Sequence, residues 1–421
     1  MLFIKGTPLC ELRKTQVVSP SRLDQNGNES CGACIYRLYT STIEREEILI
    51  LELHQSHIIK RHALLKVLLF ALVAAAFNTT LAVKTAKFPG SHPASIIYPG
   101  VQGPSARVFL KDFPNDRLPT GIGHDGQQFY AIARQPTHLS NIAPDLDRPR
   151  YRLQRIAFPL IVWILHPQGG GQGLVAATVL VGAFALYAGC VATGLLSLHI
   201  GGPVWLTPVF ALLPGAFMSM RLSTADNLAL AAGLGAIVLS ISERHRLAVS
   251  TGVLATLGKE STWLLLLGLA LWRRDRQGVY LAAVPAVVAG AWWISLRLLV
   301  KDGSAGITEF AMPLSGLWAS VEYWMNGNSL LASFVVPLAF VIGIWALIGV
   351  KLRHPLGPAI LLQLLFLPFL NLNVLGLDAN GSRVTMPLML LGVIALASHL
   401  NKRRGDIQEP IVFGLKPAKR S

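Results

Sequence analysis

Charge is what this sequence has least of. Asp, Glu, Lys and Arg make up 14% of its 421 residues, where a soluble chain carries about 25%. With 52% hydrophobic residues and a mean hydropathy of +0.50, that shortage excludes an ordinary soluble globule. No nucleic-acid-reading motif accompanies the net charge of +15, so nucleic acid is excluded as a partner. Cysteine is scarce, with four in all. Cys31 and Cys34 form "CGAC", the spacing of a zinc or redox pair, but a tetrahedral zinc needs two more ligands. Cys10 and His54 or His57 stand at no recognisable spacing, so the pair reads as incidental, and Cys190 as helix packing. There is no secretory signal at Met1 and no transporter-type internal repeat. Low complexity is confined to "QGGGQG" (168–173), a flexible turn.

What is present is a series of apolar runs such as "GLVAATVLVGAFALYAGCVATGLL" and "SLLASFVVPLAFVIGIWALIGV". Each is long enough to cross about 30 Å of hydrocarbon as a helix. The fold class is all-α, a polytopic transmembrane helical bundle of 9–11 spans with a large first extracytoplasmic loop. Residues 1–60 form an N-terminal cytoplasmic tail or a start-site extension, 61–400 the transmembrane domain, and 401–421 a basic cytoplasmic tail. The first span is expected at about 63–83 and the last at 384–400. Segment 156–166 is too short to cross, and dips in. Two short segments on either side of "GKEST" (258–262) suggest a pair turning at the outer side.

Orientation follows from the basic clusters "IIKRH" (58–62), "ERHR" (243–246), "RRDR" (273–276), "KLRH" (351–354) and "NKRR" (401–404). The positive-inside rule puts all five in the cytoplasm. Loop 84–155, the "GKEST" tip, loop 301–328 and "LDANGSR" (377–383) then face outward.

The outer face gathers the polar residues. In "GHDGQQFYAIARQP" (123–136), a helix from about 124 puts Gln128, Phe129 and Ile132 beside Asp125, with Arg134 half a turn away. Asp125 reads either as a general base or as a helix cap. In "YRLQRIAFPLIVW" (151–163), Arg152 and Arg155 lie one turn apart, as a phosphate site or as snorkelling anchors. Asp226, Lys259 and Glu260 stand where apolar segments meet the outer face, and Arg383 in "GSRVTMPL" begins the last span there. "DLD" (145–147) reads as a solvated turn.

The order of these stretches, with "YRLQRIAFPL", "TADNLAL", "GKESTWLLLLGLALW" and "SRVTMPL" following an acid in the first outer loop, resembles bacterial members of the GT-C superfamily. These are integral-membrane glycosyltransferases that use polyprenyl-phosphate sugars. The chain departs from the pattern in His124 before the acid, a second glutamine in "DGQQFY", and Asp226 where Glu is commoner.

The resemblance implies a hexosyl- or pentosyltransferase of the bacterial cytoplasmic (inner) membrane. Its partners would be a polyprenyl-phosphate-linked sugar donor, membrane lipids and a saccharide, lipid or protein acceptor. Asp125 would be the catalytic base. Arg152, Arg155, Lys259 and Arg383 would bind the donor phosphate, and His124, Gln128, Phe129, Asp226 and Glu260 would line the pocket. No metal ligand set is readable, and a divalent metal cofactor stays open. Two other classes stand beside this one. A transporter or flippase for a lipid-linked saccharide would show repeats and mid-membrane charges, and a non-catalytic assembly subunit would need no acid at 125.

Overall fold

The computed structural model describes residues 61–86, 93–301 and 309–403. The chain divides into Met1–Arg61 and His62–Ser421, and the helical bundle belongs to the second unit. The expectations for the tail, its "CGAC" pair included, lie outside the described residues.

The described residues are helical and hold no strand, only one isolated bridge between Phe310 and Leu370. α1 (Arg61–Ala86) is followed by four short helices, α2 (Ala106–Asp112), α3 (Asp125–Arg134), α4 (Leu139–Ile142) and α5 (Pro149–Leu153). Then come α6 (Ala157–Leu165), the long α7 (Gly171–His199), α8 (Val209–Leu212), α9 (Pro214–Arg221) and α10 (Asp226–Ile241). The chain continues through α11 (His245–Gly258), α12 (Trp263–Arg273), α13 (Arg276–Leu299) and α14 (Ser315–Met325). It closes with α15 (Leu330–Val350), α16 (Gly357–Phe366), α17 (Leu372–Leu375) and α18 (Asp378–Arg403).

Among the described residues, five helices are long and apolar enough to cross a membrane: α1, α7, α13, α15 and α18. Val204–Leu212 and α9 make a sixth if that pair, bent by 48°, counts as one span. The expected 9–11 spans exceed that number, which counts by length and composition; α10, α11, α12 and α16 are shorter, although α10 runs from Asp226 beside Arg383 to Ser240 beside Arg273. At about 1.5 Å per residue, the 9 residues of α6 reach about 14 Å and the 16 of α10 about 24 Å. The α8–α9 break has a local cause. Pro214 forces Leu213 out of the helical region, to φ −66° and ψ 136°, as a residue before proline must be.

Apolar side chains point outward along the peripheral helices, for example Phe77 on α1, Val287 on α13 and Trp345 on α15. In α13 only 22% of the most apolar stretch is buried, against 67% in α18, the central helix. A lipid-facing outer layer around a packed inner helix follows from that contrast.

The bundle has two chemically distinct ends. At one, Arg273 donates to the Ser240 carbonyl at 2.8 Å, Trp272 to that of Arg353 at 2.9 Å, and Asn401 to that of Gly201 at 2.9 Å. "ERHR", "RRDR", "KLRH" and "NKRR" therefore assemble together, and Val67 of α1 packs beside Leu198 there. At the other end Arg221 reaches the Thr85 carbonyl at 3.5 Å, and the first residues of α3, α10 and α18 converge. α11 and α12 form the expected hairpin with its tip at this second end, and α6 starts and finishes there without crossing.

The loop read over 84–155 is largely short helices from 93 onward, and "LDANGSR", read as an outward-facing segment, already holds the first turns of α18. That helix also runs three residues past the expected boundary at 400.

Candidate functional site

The sequence "GHDG" makes one sharp entrance into α3. Gly123 has φ +67°, a conformation that disfavours any side chain. At Gly126 a Cβ would fall 2.4 Å from the Leu222 carbonyl oxygen and 2.5 Å from that of Ile97. Between them His124 is the N-cap, its Nδ1 accepting from the Asp125 N–H at 2.9 Å. The rest of the stretch holds α3 in place. Buried Gln128 accepts from the Asp147 N–H at 3.1 Å, and Phe129 packs edge-on to Phe158. Tyr130 donates to Asp112 at 2.7 Å and accepts from the Gly171 N–H at 2.8 Å. Arg134 grips the same Asp112 at 2.9 Å.

With the cap supplied by His124, the Asp125 carboxylate is released for other partners. Oδ1 accepts from Arg152 Nη1 at 2.8 Å, and Oδ2 from both terminal nitrogens of Arg383 at 3.2 Å. Arg152 also presents its Nε and Nη2 fork to Asp147, at 2.8 and 2.7 Å. Arg383 continues to Asp226 at 3.2 Å, which accepts from Thr224 at 2.7 Å and pairs with Lys259. Arg155 forks onto Glu260 at 3.1 and 2.7 Å and donates to the Tyr151 hydroxyl at 2.7 Å. Three guanidiniums, of Arg148, Arg155 and Arg152, surround the Tyr151 ring at 4.2, 4.4 and 5.3 Å.

Four carboxylates (Asp125, Asp147, Asp226, Glu260) thus meet four cations (Arg152, Arg155, Lys259, Arg383), and the cluster carries no net charge. Burial pushes the Asp125 carboxyl up, but Arg152 and then Arg383 outweigh it and hold the group well below the usual carboxylate range. Burial and the Arg383 charge lower His124 to about 4, so its imidazole is neutral at pH 7. Asp147 is also held low: burial acts against ionisation and the Arg152 fork overcomes it.

The structure brings Asp125, Phe129, Arg155, Asp226, Lys259 and Arg383 around one gap of about 170 Å³, too narrow for a water molecule. Arg152, Glu260, His124 and Gln128 stand just outside it as partners or supports of those residues. Two alternative readings are overturned. Asp125 does not cap α3, because His124 does. Arg152 does not snorkel, because it is 6% exposed and locked between two acids.

The "DLD" turn is corrected too. Asp145 is buried and pairs with Arg107 at 2.9 Å, while Asp147 belongs to the cluster. Asp147 precedes Arg152 by five residues with Pro149 opening α5 between them, and that spacing was the available signal. Nothing in sequence spacing marks Asp112, or the Tyr151 ring as a platform for guanidiniums.

A larger cavity of about 610 Å³ adjoins the cluster, with Ser140, Leu146, Asp147, Leu299 and Lys301 in its wall. Among the described residues no group of three or more His, Cys, Asp or Glu is placed to hold a metal ion. Comparison with protein-family models, curated proteins and solved structures finds no match to this chain.

Proposed function

We propose that the chain is a membrane glycosyltransferase of the GT-C type. It moves a hexosyl or pentosyl group from a polyprenyl-phosphate carrier to a saccharide, lipid or protein acceptor, at the extracytoplasmic face of a bacterial cytoplasmic membrane. One observation carries the reading. The stretches that resemble GT-C motifs, separated by as many as 258 positions between Asp125 and Arg383, meet in one cluster at the end of the bundle opposite the basic face.

Asp125 is ionised, as a general base must be, but two guanidiniums make it a weak one. The reaction supplies the remedy. As the sugar–phosphate C–O bond breaks, negative charge grows on the leaving phosphate, and Arg152 turns toward it. The Asp125 carboxylate, relieved of one cation, gains proton affinity as the acceptor hydroxyl forms its bond to the anomeric carbon and gives up its proton. Leaving-group stabilisation and base activation become the same movement.

A non-catalytic assembly subunit has one observation in its favour: every cation of the cluster is already paired, as in a structural lock. Incubating membranes that contain the protein with labelled polyprenyl-phosphate sugars separates the two readings. Sugar transfer that depends on Asp125 supports the enzyme, and absence of transfer from every donor class supports the lock.

A further inference from the structure

The phosphate partners expected from sequence are all committed to carboxylates, so a phosphate at any of them must first displace an acid. Positive charge in excess lies elsewhere, at the end of α13. Among the described residues, Lys301, Arg150 and Arg297 pair with no carboxylate. The Arg150 guanidinium donates to the Val300 carbonyl at 2.9 Å and the Arg297 carbonyl at 3.4 Å. It answers the negative end of the helix at Val300, the residue before Lys301 in the chain. Arg297 stacks 3.6 Å from the Trp293 ring, the pairing of a membrane-interface anchor.

Lys301 is exposed and stands in the wall of the 610 Å³ cavity, with Asp147 also lining it. That volume falls within the roughly 300–1,000 Å³ of small-ligand sites. The cavity is amphipathic, since Pro144, Leu146, Pro149 and Leu299 supply apolar wall between the two charged groups. On the outer face of α13, Ile294, Leu298 and Leu299 are exposed and run up to this rim. A ligand with a hydrocarbon tail therefore has a path that ends at the cavity. The Asp147 carboxylate accepts from Arg152 on both oxygens and from the Arg148 N–H at 2.6 Å; of a carboxylate's roughly four acceptor sites, the one left over suits a hydroxyl group.

We propose that this cavity takes the headgroup of a phosphorylated lipid, with its phosphate at the Lys301 edge, its hydroxylated part against Asp147 and Ser140, and its tail along α13. The proposal rests on the lipid-carrier reading of the previous section and changes where the carrier binds. Lys301 anchors the phosphate in the ground state, and Arg152, joined to the cavity through Asp147, meets it only as the bond breaks.

The test is binding, measured on the full chain in detergent with three probes: a sugar-free polyprenyl phosphate, inorganic phosphate and phosphatidylglycerol. Among the described residues Lys301 has no partner to lose, so Lys301→Ala should keep the wild-type unfolding temperature. Polyprenyl phosphate should bind it at least tenfold more weakly, with Lys301→Arg within about threefold of wild type and phosphatidylglycerol a poor competitor. If Lys301→Ala binds polyprenyl phosphate as tightly as wild type, the cavity assignment is overturned and the carrier reading stands. If only inorganic phosphate binds, through Lys301, the anion edge is retained and the lipid carrier is overturned. If no probe binds the wild type, or phosphatidylglycerol binds equally well, the proposal fails.

Discussion

The two ends of the bundle use cations in opposite ways. At one, Arg244, Arg246, Arg274, Arg276, Lys351, Arg353 and Lys402 are exposed, and the acids Glu243 and Asp275 are engaged with Arg273. At the other, Arg152 and Arg383 are 6% exposed and every cation of the cluster has a carboxylate. Exposed cations remain hydrated at little cost and need no partner. Buried ones need matched acids, because an uncompensated charge there costs several kcal/mol. A count of Lys and Arg thus marks the basic face, whereas only the pairing marks the buried cluster.

The contrast breaks most visibly if the ends do not lie on opposite sides of a membrane. Gly123 is a poor reporter position, since its positive φ and crowded Cβ direction would damage the site. Ile122 is 71% exposed and Leu352, in the basic face, 51%. In a background without reactive native cysteines, Ile122→Cys should react with an impermeant thiol reagent in intact cells. Leu352→Cys should react only after permeabilisation. The reverse pattern would falsify the topology.

Next in size is Asp125→Asn. The amide keeps the shape and leaves the His124 cap alone, and removal of a general base costs about 10²–10⁴ in rate. Transfer close to wild type in a correctly inserted variant would make the cluster structural. Arg152→Ala acts on stability first, because it takes a cation from two acids, of which Asp125 keeps Arg383. Breaking a buried pair costs about 3–5 kcal/mol, to be read as a lowered unfolding temperature in detergent. Combining it with Asp125→Asn should recover part of that loss, and strictly additive losses would show that the two groups are not coupled.

A smaller effect follows from His124, held neutral with a pKa of about 4 against an ordinary 6.5. Between these values the unfolded chain takes up a proton that the folded chain refuses. Stability present above pH 6.5 therefore falls as pH drops toward 4, by about 1.4 kcal/mol per unit and about 3 in all. His124→Asn keeps a capping side chain and should flatten that limb of an unfolding-temperature profile. Asp125 and Asp147, held below the usual carboxylate range, add their own loss below about pH 5, so the His124 limb is read between about pH 5 and 6.5. An unchanged profile would mean that His124 is open to solvent and protonates freely.

The membrane class, the basic face and the polar cluster were legible because each leaves a mark in local composition. Apolar runs announce helices, clusters such as "RRDR" announce a face, and isolated charges such as Asp125 and Arg383 in greasy surroundings announce a site. What stayed hidden depends on distance in the chain. Helix lengths turned on breaks such as Leu213–Pro214, which split an apolar run without changing its hydropathy. The place of Asp147 in the cluster depended on Arg152 folding back over it, and that of Lys301 on the cavity formed where α13 ends beside α5. Ordinary residue types at ordinary spacing carry no sign of such meetings.

The smallest expected effect sharpens the comparison within the cluster itself. Glu260 grips Arg155 in the same fork geometry that Asp147 uses on Arg152, but its side chain is 50% exposed. Solvent screens such a pair, and exposed ion pairs contribute about 0–1 kcal/mol. Glu260→Gln keeps an oxygen for Arg155 and leaves the Tyr151 hydroxyl bond untouched, so the unfolding temperature should barely move. The same variant frees most of the Arg155 charge. If the lipid phosphate binds at Lys301, its affinity should stay within about twofold of wild type. Tightening by tenfold or more would return the phosphate to Arg155, and a stability loss as large as that of Arg152→Ala would mean that depth does not separate these pairs.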